Sequence, residues 1–373
     1  MKPAHAIGIL VLLIIVIGGA YVLSGQKPAN AVPIKIGATL PLTGDLAGIG
    51  QSMQRAITIA VDETNKNGGI NGRNLTVIFE DDKCDGKESV NTVTKLIAID
   101  GVKAILGPVC STALLPDAPI VEQNKVILFS GSATNLKITD AGDYIFRDVP
   151  SDAFQGKFAA GFIFNSLNKK KVALAFSNEE YGKGLSDVFK AEFGRLGGQV
   201  TDTESVERGS TDMRTELIKI KDSKPEVIYF VGLPQDAGNF IKQARELGID
   251  TTIFGSETYD DPQLITIAKD AANGVFYTLP KELTTQGFKD NFNAIFGSGP
   301  LIFSDKFYDA AQLIIKSMKA CGSDNSDCVK NELYKVKNYQ GVSGTITLDN
   351  NGDLAQAEYT IKLIVNQTPI VYA

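Results

Sequence analysis

The 373-residue chain is 43% hydrophobic and 21% charged, with a formal net charge of −6 at pH 7. A mild negative charge without a basic cluster argues against nucleic acid as a partner. The only histidine is His5, in the N-terminal leader, which excludes histidine metal sites and Ser–His or Cys–His catalysis from the rest of the chain.

Residues 1–31 form an export leader. Residues 7–23 are almost wholly apolar, a length between a signal-peptide core of about 7–15 residues and a membrane span of about 18 or more. Ala29-Asn30-Ala31 has the small-x-small pattern that signal peptidases cleave after. Cleavage as a signal peptide and retention as an N-terminal membrane anchor both remain open. Either predicts an extracytoplasmic protein, in the periplasm or at the cell surface.

Four cysteines in an exported chain are expected to pair. Cys321 and Cys328 enclose only the polar loop GSDNSD, which favours a bridge between them. That bridge leaves Cys84 to pair with Cys110, and the alternative is two buried unpaired thiols. If it forms, the second bridge fixes the segment that carries Ser111.

From residue 33 onward, short apolar segments alternate with segments of helical periodicity. The apolar segments are hydrophobic along their whole length, which is typical of parallel strands covered by helices on both faces. The first run predicts strands at 34–40, 75–80, 102–106 and 125–129, and helices at 49–65, 90–99 and 112–122.

The same pattern starts again after Pro150, so the sequence predicts an α/β fold of two doubly wound parallel-sheet lobes. A different tail follows, with two long helical patterns and two strands around an Asn-Asn-Gly-Asp turn. The second run predicts helices at 153–167, 181–196 and 236–247 and strands at 171–176, 227–231, 252–255 and 274–279. The tail adds helices at 286–296 and 304–319 and strands at 344–348 and 358–365.

Small polar residues follow three of the predicted strands, where ligands bind in open α/β sheets. Ser111 and Thr112 follow the strand at 102–106, and a Ser-Gly-Ser-Ala-Thr segment ending in Thr134 follows the strand at 125–129. Hydroxyls at a helix start favour a carboxylate held by free N–H groups, although Ser111 and Thr112 could simply cap the helix.

Glu257 follows the predicted strand at 252–255 and offers the complementary charge. It is either a solvated loop acid or the partner of a ligand ammonium. Across a cleft from an anion-binding helix start, it would complete a site for a zwitterion.

Enzyme signatures are missing from the sequence, which has no GxSxG motif, no phosphate-binding loop and no dinucleotide fingerprint. No cluster has metal-ligand spacing. We therefore expect neither catalysis nor a metal or cofactor. A sugar ligand is a minor alternative because the chain has no Trp to stack on sugar rings.

Six segments in order resemble a known family: residues 36–50 (IGATLPLTGDLAGIG), 70–85, 107–112 (GPVCST), 146–152 (FRDVPSD), 179–185 (EEYGKGL) and 254–257 (FGSE). The chain resembles the type I periplasmic binding proteins of ABC transporters, specifically the leucine/isoleucine/valine-binding branch. The resemblance implies two lobes joined by a three-stranded hinge, which close on a ligand like a flytrap.

The resemblance also implies roles for individual residues. It places the family's first-lobe disulfide on the pair Cys84 and Cys110. The remaining assignments are a carboxylate-binding serine at Ser111 with a neighbouring contact at Thr134, a backbone carbonyl for the ammonium at Ser132, an ammonium-binding glutamate at Glu257 and a cleft tyrosine at Tyr181.

The chain departs from the branched-chain binders at three of these cleft positions. Ile49 and Leu233 stand where the family has tyrosines, and Ser132 stands where it has alanine. These changes alter the side-chain pocket and leave the zwitterion contacts in place. An amino acid is therefore the predicted ligand, and an amide, urea or short carboxylate remains an alternative.

The implied lobes are residues 33–149 with 279–340 and residues 150–278 with 341–373, with crossings near Val149, Leu279 and Gln340. The expected protein is a monomer that delivers its ligand to the permease subunits of an ABC transporter. It would also contact the membrane if the leader is retained. The alternative role for the same fold is a ligand-binding sensor module.

Overall fold

The computed structural model describes residues 32–372. The export leader, with its predicted cleavage or membrane retention, lies outside the described residues. Within residues 32–372, none of the helices combines the length and the apolar character that crossing a membrane requires.

The first lobe is built on a five-stranded sheet in which every pair of neighbouring strands is parallel. Its central strands are buried on both faces, as their uniform apolar character predicts. The strand order is β2-β1-β3-β4-β5, with β1 (Ile34–Leu40), β2 (Leu75–Asp81), β3 (Ala104–Leu106), β4 (Ile127–Ser130) and β5 (Ile145–Arg147), and with helices α1 (Ala47–Lys66), α2 (Gly86–Ala98) and α3 (Ser111–Asn124) between them.

The second lobe is built on a seven-stranded sheet of order β14-β13-β10-β9-β8-β6-β7. Strands β10, β9, β8, β6 and β7 are parallel, whereas β13 and β14 are antiparallel additions at one edge. The elements are α4 (Asp152–Gly161), β6 (Lys171–Ser177), α5 (Glu180–Arg195), β7 (Gln199–Val206), α6 (Arg214–Asp222), β8 (Val227–Val231), α7 (Pro234–Glu246), β9 (Thr252–Gly255), α8 (Pro262–Ala268), β10 (Phe276–Pro280), β13 (Tyr359–Val365) and β14 (Thr368–Val371).

The tail returns to the first lobe before it completes the second sheet. Helix α10 packs on α1 and contacts β3 and β4, so it covers one face of the first sheet. The elements of this segment are α9 (Gln286–Phe296), α10 (Ser304–Cys321), α11 (Ser326–Leu333) and the two-stranded sheet of β11 (Tyr339–Gly341) and β12 (Gly344–Ile346).

The chain passes between the two sheets three times: after β5, after β10 and before β13. These passages form the predicted hinge. Residues up to Asp353 still bond to the first lobe, because Gly352 O accepts from Arg147 N at 3.0 Å and Asp353 pairs with the Arg147 side chain. We therefore propose that the third crossing lies after Asp353 rather than near Gln340.

Several element predictions differ from the structure. Strand β7 was missed because its sequence QVTDTESV is polar. It lies at the edge of the sheet and pairs with only one strand, which suits a polar sequence. Helix α6 was missed because only Leu217 and Ile220 of its residues are buried. The helix predicted over 153–167 is an α-helix only to Gly161 and continues as a π-helix over Phe162–Ser166.

Both predicted disulfides are present, Cys84–Cys110 and Cys321–Cys328, so the alternative of two unpaired thiols is excluded. Cys84 immediately precedes Asp85, whose side chain accepts from two N–H groups of the first turn of α2. Cys110 immediately precedes α3. The first bridge therefore joins the starts of α2 and α3 in the first lobe.

Candidate functional site

A cavity of about 60 Å³ lies between the lobes, beyond the carboxyl ends of β3, β4 and β9. Its walls are mostly aliphatic, with polar groups at a few positions. The first lobe contributes Leu46, Ile49, Met53, Val109, Cys110, Ser111, Ser132, Ile302 and Phe303, and the second lobe contributes Glu179, Tyr181, Leu233, Pro234, Glu257 and Thr258.

The first-lobe wall contains the N-terminus of α3. The residue before this helix, Cys110, provides no side-chain cap, and Ser111 Oγ accepts from Asn135 N at 3.2 Å. The expectation that Ser111 or Thr112 caps the helix is therefore wrong. A 14-residue helix whose first turn has no side-chain cap within the described chain presents N–H groups and a positive dipole end, which favour an anion.

The second-lobe wall carries Glu257 just after β9. The residue is only 2% exposed, and its Oε2 accepts from Gln155 Nε2 at 2.5 Å. The Tyr181 hydroxyl lies beside both this carboxylate and Ser256 Oγ, at 2.7 Å from the latter. Burial raises the pKa of Glu257, and the hydrogen bonds from Gln155 and Tyr181 oppose that shift.

A second buried carboxylate, Asp152, stands behind Glu257 and was missed from the sequence. It is completely buried at the start of α4, and within residues 32–372 neither of its carboxylate oxygens has a hydrogen-bond partner. Burial raises the pKa of Asp152 well above its usual value, and the charge of Glu257 raises it further. Of the two buried acids only Glu257 lines the cavity, and a cationic group at that end would relieve their mutual repulsion.

Two predicted ligand contacts, Thr112 and Thr134, are not among the residues that line the cavity. Thr112 Oγ1 donates to Glu179 Oε2 of the second lobe at 2.7 Å and accepts from Glu180 N at 3.2 Å. The Thr134 hydroxyl lies beside the Asp152 carboxylate, and its carbonyl accepts from Asp152 N at 2.8 Å. Thr112 thus joins the lobes, and Thr134 supports the acid behind the cavity.

The cavity brings together Ser111, Ser132, Tyr181 and Glu257 of the predicted site residues. The extra hydroxyl of Ser132 donates to Val109 O at 2.6 Å and so tightens the loop before α3. Ile49 and Leu233, which replace the family's tyrosines, both line the cavity. The side-chain region of the site is therefore aliphatic at the two positions where the sequence departs from the family.

Comparisons with known proteins agree with this architecture. A family model described as periplasmic binding protein matches residues 33–364. The chain is 30% identical to the leucine-, isoleucine-, valine-, threonine-, and alanine-binding protein of Pseudomonas aeruginosa over 333 residues, which cover 88% of this chain and 89% of that protein.

Two solved structures are similar over nearly the whole described chain. The leucine binding protein LivK from Thermotoga maritima is 27% identical with a TM-score of 0.83, over 91% of this chain and 98% of that one. The branched-chain amino acid transporter substrate binding protein LivJ from Streptococcus pneumoniae, solved in complex with isoleucine, is 29% identical with a TM-score of 0.82, over 90% of this chain and 97% of that one.

Proposed function

The chain belongs to the periplasmic binding protein family, whose members bind solutes and are not enzymes, and we propose that it binds an aliphatic amino acid outside the cytoplasm and delivers it to the permease of an ABC transporter. Two relatives support the choice of ligand. One is named for leucine, isoleucine, valine, threonine and alanine, and another was solved with isoleucine.

The observation that carries the proposal is the opposite polarity of the two ends of the cavity. The α3 N-terminus at Ser111 suits a carboxylate, and Glu257, with Asp152 behind it, suits an ammonium. Each charge-assisted hydrogen bond contributes roughly 1.5–3 kcal/mol. A neutral or singly charged solute would leave one of these ends without its partner.

The size and walls of the cavity support a small aliphatic side chain. A volume of about 60 Å³ holds roughly four to six water molecules, which is too little for a peptide. Ile49, Met53 and Leu233 offer apolar contact without the hydrogen-bond donors that an amide side chain would need.

Binding is proposed to proceed by closure of the lobes. The solute first contacts the first lobe at Ser111 and the α3 N-terminus, and closure then brings Glu257 and Tyr181 onto its ammonium side. Only the closed form makes both sets of contacts, so the solute favours it. The population of the closed form rises with the difference between the solute's affinities for the closed and open forms.

A thermal-shift screen of the purified protein tests the proposal. Aliphatic L-amino acids should raise the melting temperature, because a ligand at 100 times its Kd stabilises the folded state by about 2.7 kcal/mol. Stabilisation by urea, a short carboxylate or a sugar without stabilisation by any amino acid would overturn the proposal. Delivery is tested by uptake of the labelled amino acid in cells with and without the chain.

Binding is also expected to release protons. In the free protein, burial raises the pKa of Glu257 and of Asp152, and an ammonium held beside them lowers both values again. Between the free and bound pKa values, the carboxylates must therefore lose protons on binding, and affinity falls as pH falls through that window. Calorimetry in phosphate and in Tris should give different binding enthalpies; equal enthalpies would contradict the expectation.

A further inference from the structure

The two lobes contact each other directly through groups that, apart from Glu179, do not line the cavity. These contacts involve both side-chain and backbone groups of the two lobes. They are Thr112 Oγ1 to Glu179 Oε2 at 2.7 Å, Asn135 Nδ2 to Glu180 O at 2.6 Å, Lys137 Nζ to Glu180 Oε2 at 2.9 Å, and Arg208 to Asp45 and Cys84.

Arg208, which follows β7, makes the most extensive of these contacts. Its Nη2 lies 2.9 Å and 3.2 Å from the two carboxylate oxygens of Asp45, and its Nη1 donates to Cys84 O at 2.7 Å. The Arg208 and Asp45 side chains are 23% and 25% exposed, whereas Lys137 and Glu180 are 60% and 36% exposed. A half-buried guanidinium that contacts three acceptor atoms stabilises the contact between the lobes more than an exposed lysine–carboxylate pair does.

The loop next to Arg208 is held by hydrogen bonds within its own lobe. Asp236, at the start of α7, accepts from Gly209 N at 2.8 Å and from Ser177 Oγ at 2.8 Å, which fixes the loop next to Arg208. The guanidinium charge also lowers the pKa of Asp236, against the larger effect of burial. The backbone position from which Arg208 reaches the first lobe is therefore fixed within the second lobe.

The Cys84 carbonyl, one of the first-lobe acceptors, also lies in a fixed turn. Cys84 is bonded to Cys110, and its carbonyl therefore sits at a covalently fixed turn. Asp82, in the same turn, is buried, and the Arg208 charge opposes the rise of its pKa to about 6. Because the Arg208 loop and the Cys84 turn are each fixed within their own lobe, the contact between them depends on the angle between the lobes.

We propose that Arg208 is a positioning residue for solute binding, which clasps the closed lobes from outside the cavity and thereby sets the affinity. The inference rests on the proposed function, because closure is what encloses the amino acid. The apparent affinity of a solute is reduced by the fraction of protein in the competent state. The Arg208 clasp raises that fraction and touches no atom of the solute.

The test compares Arg208→Gln with Arg195→Gln. The control removes the same charge from the same lobe, but Arg195 pairs with Glu192 within a single helix. Calorimetry with the amino acid that the thermal-shift screen selects should give about a tenfold weaker Kd for Arg208→Gln and an unchanged Kd for the control. An unchanged Kd for Arg208→Gln would overturn the proposal.

A second variant keeps the proposal falsifiable if Arg208→Gln folds poorly. Asp45→Asn should weaken binding too, and the double variant should lose less than the sum of the two single losses, because both changes break the Arg208–Asp45 pair. Raised salt should also weaken wild-type binding more than binding by Arg208→Gln, since the half-exposed clasp is screened more than a buried site. Additive effects, or equal salt dependence, count against the clasp.

Small-angle X-ray scattering separates failure of the clasp from failure of the proposed function. Without solute, the Arg208→Gln protein should have a larger radius of gyration than the control, because its open form is more populated. Because it is made without solute, this measurement tests the Arg208 contact even if the wild type binds no amino acid. Equal radii for the two proteins would overturn the clasp alone.

Discussion

Replacing Glu257 by glutamine is expected to weaken amino acid binding by roughly 10- to 150-fold, the equivalent of one charge-assisted hydrogen bond. The side chain keeps its shape and can still accept from Gln155, 2.5 Å away. The glutamine lacks the negative charge that stabilises a bound ammonium in a site from which water is excluded. Isothermal titration calorimetry with the stabilising amino acid measures the change.

The same substitution should act on stability in the opposite direction. In the protein without solute, Glu257 is a buried carboxylate whose charge raises the pKa of Asp152, so neutralising it leaves the melting temperature unchanged or raises it. Glu204→Gln is the matched control, since Glu204 pairs with Lys219 at 3.0 Å in the same lobe, away from the cavity. Unchanged affinity of the Glu257→Gln protein for the amino acid would contradict the proposal of a zwitterionic ligand.

Replacing Asp353 by asparagine is expected to lower the free energy of unfolding by about 3–5 kcal/mol. The Asp353 carboxylate accepts from Nε and Nη2 of Arg147, both at 2.7 Å, and the arginine is completely buried. Removing the carboxylate charge leaves an uncompensated guanidinium in the interior. The Arg147 side chain also donates to the carbonyls of Thr134 and Asn135, so the loop behind the cavity depends on the same pair.

Urea unfolding of the two purified proteins measures this loss. The matched control is Asp212→Asn, because Asp212 pairs with Arg214 at 3.0 Å at the surface with 68% of its side chain exposed. Surface pairs contribute about 0–1 kcal/mol, so the control should stay within that range. A loss in Asp353→Asn no larger than in the control would mean that Arg147 finds other partners and that the buried pair is dispensable.

The α/β architecture was predictable because buried parallel strands have no polar face. Strands β1, β4 and β8 are wholly or almost wholly buried and stood out as continuous apolar segments. The edge strand β7 has only one neighbouring strand and carries polar residues, so the same criterion missed it. The antiparallel β13–β14 pair is joined by the two-residue turn Asn366–Gln367, both with positive φ, and only its first strand was predicted.

The candidate site was predictable as far as the positions of strand ends allow. Ser111, Ser132 and Glu257 follow three strands whose carboxyl ends meet at the cavity, and the cavity contains all three. Thr112 was assigned to the ligand because a sequence gives no distance between lobes, and Glu179 proved to be its partner. Asp152 was missed because an acid directly after Ser151 at a helix start is usually an ordinary part of a first turn.

The Cys84–Cys110 bridge links two functions that lie on separate surfaces of the first lobe. Cys110 immediately precedes the helix start proposed to receive the solute carboxylate. Cys84 bears the carbonyl that accepts a hydrogen bond from Arg208. A nascent chain in a reducing cytosol, with its thiols still apart, has neither surface covalently fixed. We therefore expect solute capture to depend on oxidation of this one bridge, which requires an oxidising compartment outside the cytosol.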